Sequence, residues 1–154
     1  MTEKEQRVVV SNRKARHDYF ILDSLEAGLV LRGTEVKSLR AGNANLLDSY
    51  AQIKDGEVWL YGLHISPYER GSYMNHDPRR TRKLLLGKRE IRKLLSRVQE
   101  KGLNLIPLGI YFKGPYAKIE LGIAQGKKSY DKREALKQRD AKRDIAQRLK
   151  RSTH

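Results

Sequence analysis

The sequence predicts a mainly β fold with added helices: a small antiparallel OB-like barrel followed by a basic C-terminal tail. Three observations carry that prediction. Ile106, Leu108, Ile110 and Phe112 alternate with outward positions, and Ile119, Leu121 and Ile123 do so again after a turn at Lys113-Gly-Pro115. Alternation with a period of two marks antiparallel strands with one buried face. Asp55-Gly56 separates two shorter strand-like runs, 49–54 and 57–61, and this dipeptide is a strong hairpin signal. One long amphipathic run, 82–101, supplies a helix, and many short strands with turn signals around one good helix suit a small closed barrel.

Taken in order, residues 1–11 read as a flexible N-terminus, with only Val8, Val9 and Val10 as an apolar run and acidic residues near the start. Such a start does not resemble a secretory leader. Two strands follow at 19–22 and 28–31, interrupted near 24–27. A short helix is expected over 33–39, with Thr34 as its N-cap and an end before Gly42. From 64 to 81 the chain is rich in Pro, Gly, Ser and Asn without a period, and reads as a long loop. In the helical run, Leu84, Ile91, Leu94, Leu95 and Val98 form the apolar stripe, with Lys88, Arg89, Arg92, Lys93 and Arg97 opposite. Gly102 stands where a left-handed C-terminal residue belongs. Beyond Gln125 the aliphatics thin out to a stripe of Ala141, Ile145 and Leu149, with Asp144 and Arg148 spaced as a helical ion pair. That stripe is too thin to dock firmly on a barrel, so the tail is expected to be disordered alone and helical when bound. A solubility appendage is the alternative. The division is thus 1–11 flexible, 12–125 an RNA-binding barrel and 126–154 the tail.

The net charge is +15, and its placement is informative. Lys and Arg balance Asp and Glu at five each over 1–30, and again over 31–75. Over 76–101 the count is ten against three, and over 126–154 eleven against four. Two concentrated basic segments suit a polyanion through counterion release better than they suit general solubility. Other classes of function find little support. There is no cysteine, hence no disulfide, thiolate zinc site or thiol nucleophile. No Gly-rich phosphate cradle is present, and His17, His64, His76 and His154 lack the close spacing of metal ligands. His17-Asp18 could be drawn as an acid–base pair, but strand neighbours face opposite ways. No apolar run approaches the ~20 residues that cross a bilayer. A non-enzymatic, cytoplasmic, monomeric protein without cofactor or metal is expected.

Nucleic-acid chemistry remains. Asn12-Arg-Lys-Ala-Arg-His-Asp-Tyr19 gathers cations, amide donors and a stacking ring, and Asp77-Pro-Arg-Arg-Thr-Arg-Lys83 puts Arg79, Arg80, Arg82 and Lys83 in one loop. Phosphate contact and base stacking are how looped or single-stranded RNA is held. A different ribosome-associated OB-like factor and a metal-dependent RNA-processing enzyme stay open as alternatives on the residues alone.

Five motifs narrow the choice: Asn12-Arg-Lys-Ala-Arg-His-Asp-Tyr-Phe-Ile21, Glu26-Ala-Gly28, Gly33-Thr-Glu-Val-Lys-Ser-Leu-Arg-Ala-Gly42, Asp77-Pro-Arg-Arg-Thr-Arg-Lys-Leu-Leu-Leu86 and Gly126-Lys-Lys-Ser-Tyr-Asp-Lys-Arg133. Together they resemble the family of SsrA-binding proteins, small protein B. The resemblance runs from about Asn12 into the tail. It implies an OB-like barrel in a bacterial factor that binds the tRNA-like domain of transfer-messenger RNA and brings it to stalled ribosomes. It implies RNA contacts at Asn12, Arg13, Arg16, His17, Tyr19, Glu26, Leu85 and Lys118. It further implies that the tail, through Lys127, Lys128, Tyr130, Asp131, Lys132 and Arg133, enters the empty messenger channel near the decoding centre. Ile145 and Leu149 would then form the apolar side of the bound helix.

Overall fold

The computed structural model describes residues 6–68 and 75–127. Lys128, Tyr130, Asp131, Lys132, Arg133, Ile145 and Leu149, and with them the expected tail helix, lie outside the described residues. The elements in chain order are β1 (Gln6–Ser11), α1 (Arg13–Asp18), β2 (Tyr19–Leu29), α2 (Gly33–Arg40), β3 (Ala44–Asn45), β4 (Tyr50–Lys54), β5 (Glu57–Tyr61), β6 (His64–Ile65), β7 (Arg82–Leu85), α3 (Lys88–Lys101), β8 (Asn104–Lys113) and β9 (Tyr116–Gly126). The fold is mainly β with a few helices.

Antiparallel pairings run β8-β4-β5-β7-β2-β9 and return from β9 to β8, so the strands close a ring. The long strand β8 makes this closure. One edge pairs with β9 along its length, while the other meets β4 at Leu105 and β1 from Gly109 to Lys113. From Ile110 on, inward positions follow the alternation of the sequence: Ile110, Phe112, Ile119, Leu121 and Ile123 are all buried, and with Leu60, Leu84 and Leu39 they form the main core. Ile106 and Leu108, expected on that same face, lie on the other one, because an irregularity between Pro107 and Gly109 shifts the alternation and puts Leu105 inside instead. Asp55 and Gly56 both take positive φ, as the tight turn between β4 and β5 requires. A second, smaller cluster lies on the outside of the ring, where Ala15 of α1 covers Ile106, Leu108 and Ala124. Gly122 makes that contact feasible, since a Cβ there would stand 2.9 Å from Leu108 Cδ1.

Several expectations need correction. Within the stretch 1–11 expected to be flexible, Gln6–Ser11 form β1, which pairs with the open edge of β8 and buries Val10. Residues 13–18 form a helix, so His17 and Asp18 are not strand neighbours on opposite faces: His17 Nδ1 lies 3.0 Å from Asp18 Oδ1. Asn12 starts that helix. Its Oδ1 accepts the Ala15 N–H at 3.1 Å and its Nδ2 donates to the Pro107 carbonyl at 2.8 Å. The interruption at 24–27 is absent: β2 is continuous, with a bulge between Ile21 and Asp23 and Leu25, Ala27 and Leu29 on the inward side.

Thr34 lies inside α2 and does not cap it. The Arg32 N–H donates to the Glu35 carboxylate at 2.8 Å instead, and the Thr34 hydroxyl sits 2.9 Å from Nδ1 of the buried His76. The loop over 64–81 contains a short strand, β6, paired with β3. The expected helix over 82–101 begins only at Lys88. Before it, Arg82 and Leu84 point inward from β7 while Leu85 is exposed, an alternation of period two that the seven-residue step from Leu84 to Ile91 disguises as helical. Gly102 ends α3 in the left-handed region, as expected.

Candidate nucleic-acid interface

The alternation that buries one side of β2, β9 and β8 turns the other outward beside α1. Register places Leu85, Gly28, Lys118, Tyr111 and Val8 in one row across β7, β2, β9, β8 and β1. A Cβ on Gly28 would stand 3.2 Å from that of Leu85, so the glycine lets this exposed leucine lie against β2. The neighbouring row holds Glu26 opposite Glu120. Glu26, Leu85 and Lys118, far apart in sequence, therefore share one surface. Sequence reasoning did not single out Tyr111, Lys113 and Glu120 on the same face. Their signal was present, since Ile110, Phe112 and Ile119 inside require these neighbours outside.

The face is organised by its own ion pairs. Glu26 Oε2 accepts the Tyr111 hydroxyl at 2.6 Å and lies 2.6 Å from Lys113 Nζ. The Lys113 ammonium, and then the Tyr111 hydroxyl, hold the Glu26 carboxyl below the ordinary carboxylate range. Burial, then the bond to Glu26, pushes the Tyr111 phenol up. Both groups consequently keep their neutral-pH charge: a fixed carboxylate and a neutral hydroxyl. Arg16 reaches Glu120 at 3.1 Å, and Arg13 is exposed beside it. Val8, Ser11, Arg13, Arg16, Tyr111 and Glu120 line a hollow of ≈ 210 Å³ there. Cations that reach phosphate and an acceptor fixed among them form a surface suited to RNA backbone and base edges together.

Other expected contacts divide. His17 is exposed on α1, while Tyr19 packs against the outer cluster. Asn12 is buried, and its amide is bonded to the Ala15 N–H of α1 and to the Pro107 carbonyl. The basic run before α3 is broken up. Arg82 is fully buried, with Nε 2.6 Å from Glu35 Oε2, and Arg80 is bonded to the other oxygen of the same carboxylate. Arg82 is thus held in the interior, while the Arg80 side chain stays about a quarter exposed. Lys83 pairs with Glu57 at 3.1 Å, and Arg79 is exposed in the turn ahead of β7. At the root of the tail, Lys127 Nζ stands 5.1 Å from the Phe20 ring centre. No helix among the described residues is long and apolar enough to cross a membrane.

A ring of strands bearing a mixed cationic and acceptor face defines an RNA-binding type of surface. Comparison with known proteins makes the family definite. The sequence model of the SmpB protein family matches residues 9–151. The SsrA-binding protein of Acetivibrio thermocellus is 61% identical over 150 residues, covering 97% of this chain and 97% of its own. That of Carboxydothermus hydrogenoformans is 59% identical over 145 residues, covering 94% and 97%. A chain from the solved structure "tmRNA-SmpB: a journey to the center of the bacterial ribosome" is 59% identical, with a TM-score of 0.65 over 76% of this chain and 82% of that one. This chain belongs to the SmpB family of SsrA-binding proteins.

Proposed function

We propose that the protein binds the tRNA-like domain of transfer-messenger RNA and delivers it to stalled ribosomes for peptide tagging, acting in the cytoplasm as a monomer by binding rather than catalysis. The ring is read as a small OB-like barrel. The outer face of β2, β9 and β8, with α1, holds the RNA. The observation that supports this division best is the meeting of Glu26, Leu85 and Lys118 on one surface. Arg13, Arg16, Lys113 and Lys118 would take phosphates, and Glu26 would accept from a base edge or a 2′-hydroxyl. The segment 126–154 would bind the ribosome as a helix, with Ile145 and Leu149 on its apolar side and Lys127, Lys128, Tyr130, Asp131, Lys132 and Arg133 in the messenger channel.

Glu26 gives the direct test. Glu26→Gln and Glu26→Ala both make the protein more basic, so electrostatics alone predicts tighter RNA binding. The proposal predicts the reverse for transfer-messenger RNA, by about tenfold for loss of a charge-assisted contact of ~1.5 kcal/mol, with an unchanged thermal melt. Equal or tighter binding by both variants removes Glu26 from the site. The general electrostatic contribution is read from salt. Each neutralised phosphate should add roughly 0.7–0.9 to the slope of log K against log salt, and titrations between about 50 and 200 mM would reveal it. A flat response contradicts the assignment of the cations.

A further inference from the structure

The hairpin that joins β8 to β9 closes in two residues, Gly114 and Pro115. Gly114 takes a φ of 58°, as the first central residue of such a turn requires, and Pro115 fixes the next φ. The pair flanking the turn is Lys113 opposite Tyr116. Phe112 and Ala117 are paired and buried, so Lys113 and Tyr116 turn outward, on the side of Tyr111 and Lys118. Tyr116 is 68% exposed, more than any other large apolar side chain among the described residues. Its ring belongs to neither apolar cluster, and the turn itself needs only the glycine and the proline.

The ring stands at the margin of the RNA face. The β2–β9 register, continued two residues past Gly28 and Lys118, brings Val30 level with Tyr116. Val30 is 40% exposed, and its N–H donates to the Lys83 carbonyl at 3.1 Å. A second row thus runs Lys83, Val30, Tyr116 and Lys113, with apolar surface in the middle and a cation at each end. Arg32 is exposed two residues beyond Val30. An aromatic ring bordered by cations matches a nucleotide, whose base covers the ring while its phosphates reach the charges. In RNA, unpaired loop bases are the ones with a face to offer. We propose that Tyr116 stacks one unpaired base of the tRNA-like domain, with Lys118 and Arg32 on the flanking phosphates. This rests on the reading of the outer face of β2, β9 and β8 as the site for that domain, and extends it to the hairpin tip. The tight turn holds the ring in place before RNA arrives, so little freedom is lost on binding. Stacking accepts any base, which leaves the choice among RNAs to Glu26 and its neighbours.

Full-length Tyr116→Ala, Tyr116→Thr and Tyr116→Phe test this, titrated at several salt concentrations with a transcript of the tRNA-like domain. Threonine suits a strand but has no ring, so it repeats the alanine test without alanine's poorer strand propensity. Both ringless variants should bind about tenfold more weakly, the scale of a lost base–aromatic stack, and melt as the wild type does. Tyr116→Phe should stay within about twofold of the wild type. A stack releases no counterions, so the slope of log K against log salt should be unchanged in all three. Lys118→Ala, by contrast, should make that slope shallower by roughly 0.7–0.9. Wild-type affinity in the ringless variants overturns the proposal while the reading of the face stands. An equal loss in Tyr116→Phe makes the phenol hydroxyl the contact and overturns the stack. A loss that comes with a shallower slope makes the ring a prop for the cations beside it and overturns the stack as well. A wild type that fails to bind the transcript at all overturns the reading of the face, and the stack with it.

Discussion

A chain ending at Gly126 is expected to melt as the full-length protein does and to keep transfer-messenger RNA, yet to lose peptide tagging on stalled ribosomes. The reason is burial. The ring closes through β8 and β9, and the inward residues of β9 end at Ile123, so the core is complete before the tail begins. Removing 127–154 takes away eleven Lys/Arg and four Asp/Glu, and nonspecific RNA affinity should fall with them. Specific binding should persist, because Glu26, Leu85 and Lys118 and their supports all remain. Replacing Ile145 or Leu149 with Pro or Asp should give a milder tagging defect by spoiling the bound helix. A melt, an RNA titration and a tagging assay on the same preparation check this. Tagging at the full-length rate would make the tail a solubility appendage.

Arg82→Ala is expected to damage folding and not RNA recognition as such. Arg82 is fully buried, with Nε against Glu35 Oε2 and its other nitrogens donating to the carbonyls of Leu63 and Pro78. Removing one partner of a buried pair costs ~3–5 kcal/mol because the other charge stays behind. A small domain has only ~5–15 kcal/mol in all. The melting temperature should drop by at least ~10 °C, and RNA binding should fall only in proportion to the unfolded fraction. A normal melt with weak RNA binding would restore Arg82 to the interface. The same cluster predicts acid sensitivity. Burial alone would raise the Glu35 carboxyl, but bonds from Arg80, the Arg32 N–H and Arg82 outweigh it and leave the group below the ordinary range. A carboxyl depressed in the folded state stabilises fully above its unfolded value. That contribution is lost as pH falls through the folded value, so wild type but not Glu35→Gln should lose stability there.

Residues 110–123 were legible because strands buried on one side write their period directly into the sequence, and the Asp55-Gly56 turn was legible because few residues tolerate its backbone. The irregularity between Pro107 and Gly109 was not, because Ile106 and Leu108 are buried under α1 on the opposite face and so keep an apolar period of two across it. The RNA face is the complement of that alternation, and Tyr111, Lys113 and Glu120 follow from it once Ile110, Phe112 and Ile119 are placed inside. Arg82 was not legible. Its partner lies 47 residues upstream, and a composition that counts four cations in five residues cannot tell a surface charge from a buried one. The bonds of Asn12 were hidden for a related reason: they go to Ala15 and to Pro107, 95 residues away, which an amide beside arginines does not announce. The strand β7 was hidden by chance spacing, since Leu84 falls in step with the apolar stripe of α3.

The central claim is that the outer face of β2, β9 and β8 selects transfer-messenger RNA. Sequencing the RNA that copurifies with the wild-type protein and with Lys118→Glu tests it most directly. Lys118 is partly exposed in the row between Gly28 and Tyr111, so its replacement should leave the melt intact. The account predicts one dominant species with the wild type, transfer-messenger RNA, and its loss from the variant. Equal recovery of that RNA by both proteins, or ribosomal RNA as the main species with the wild type, would contradict it.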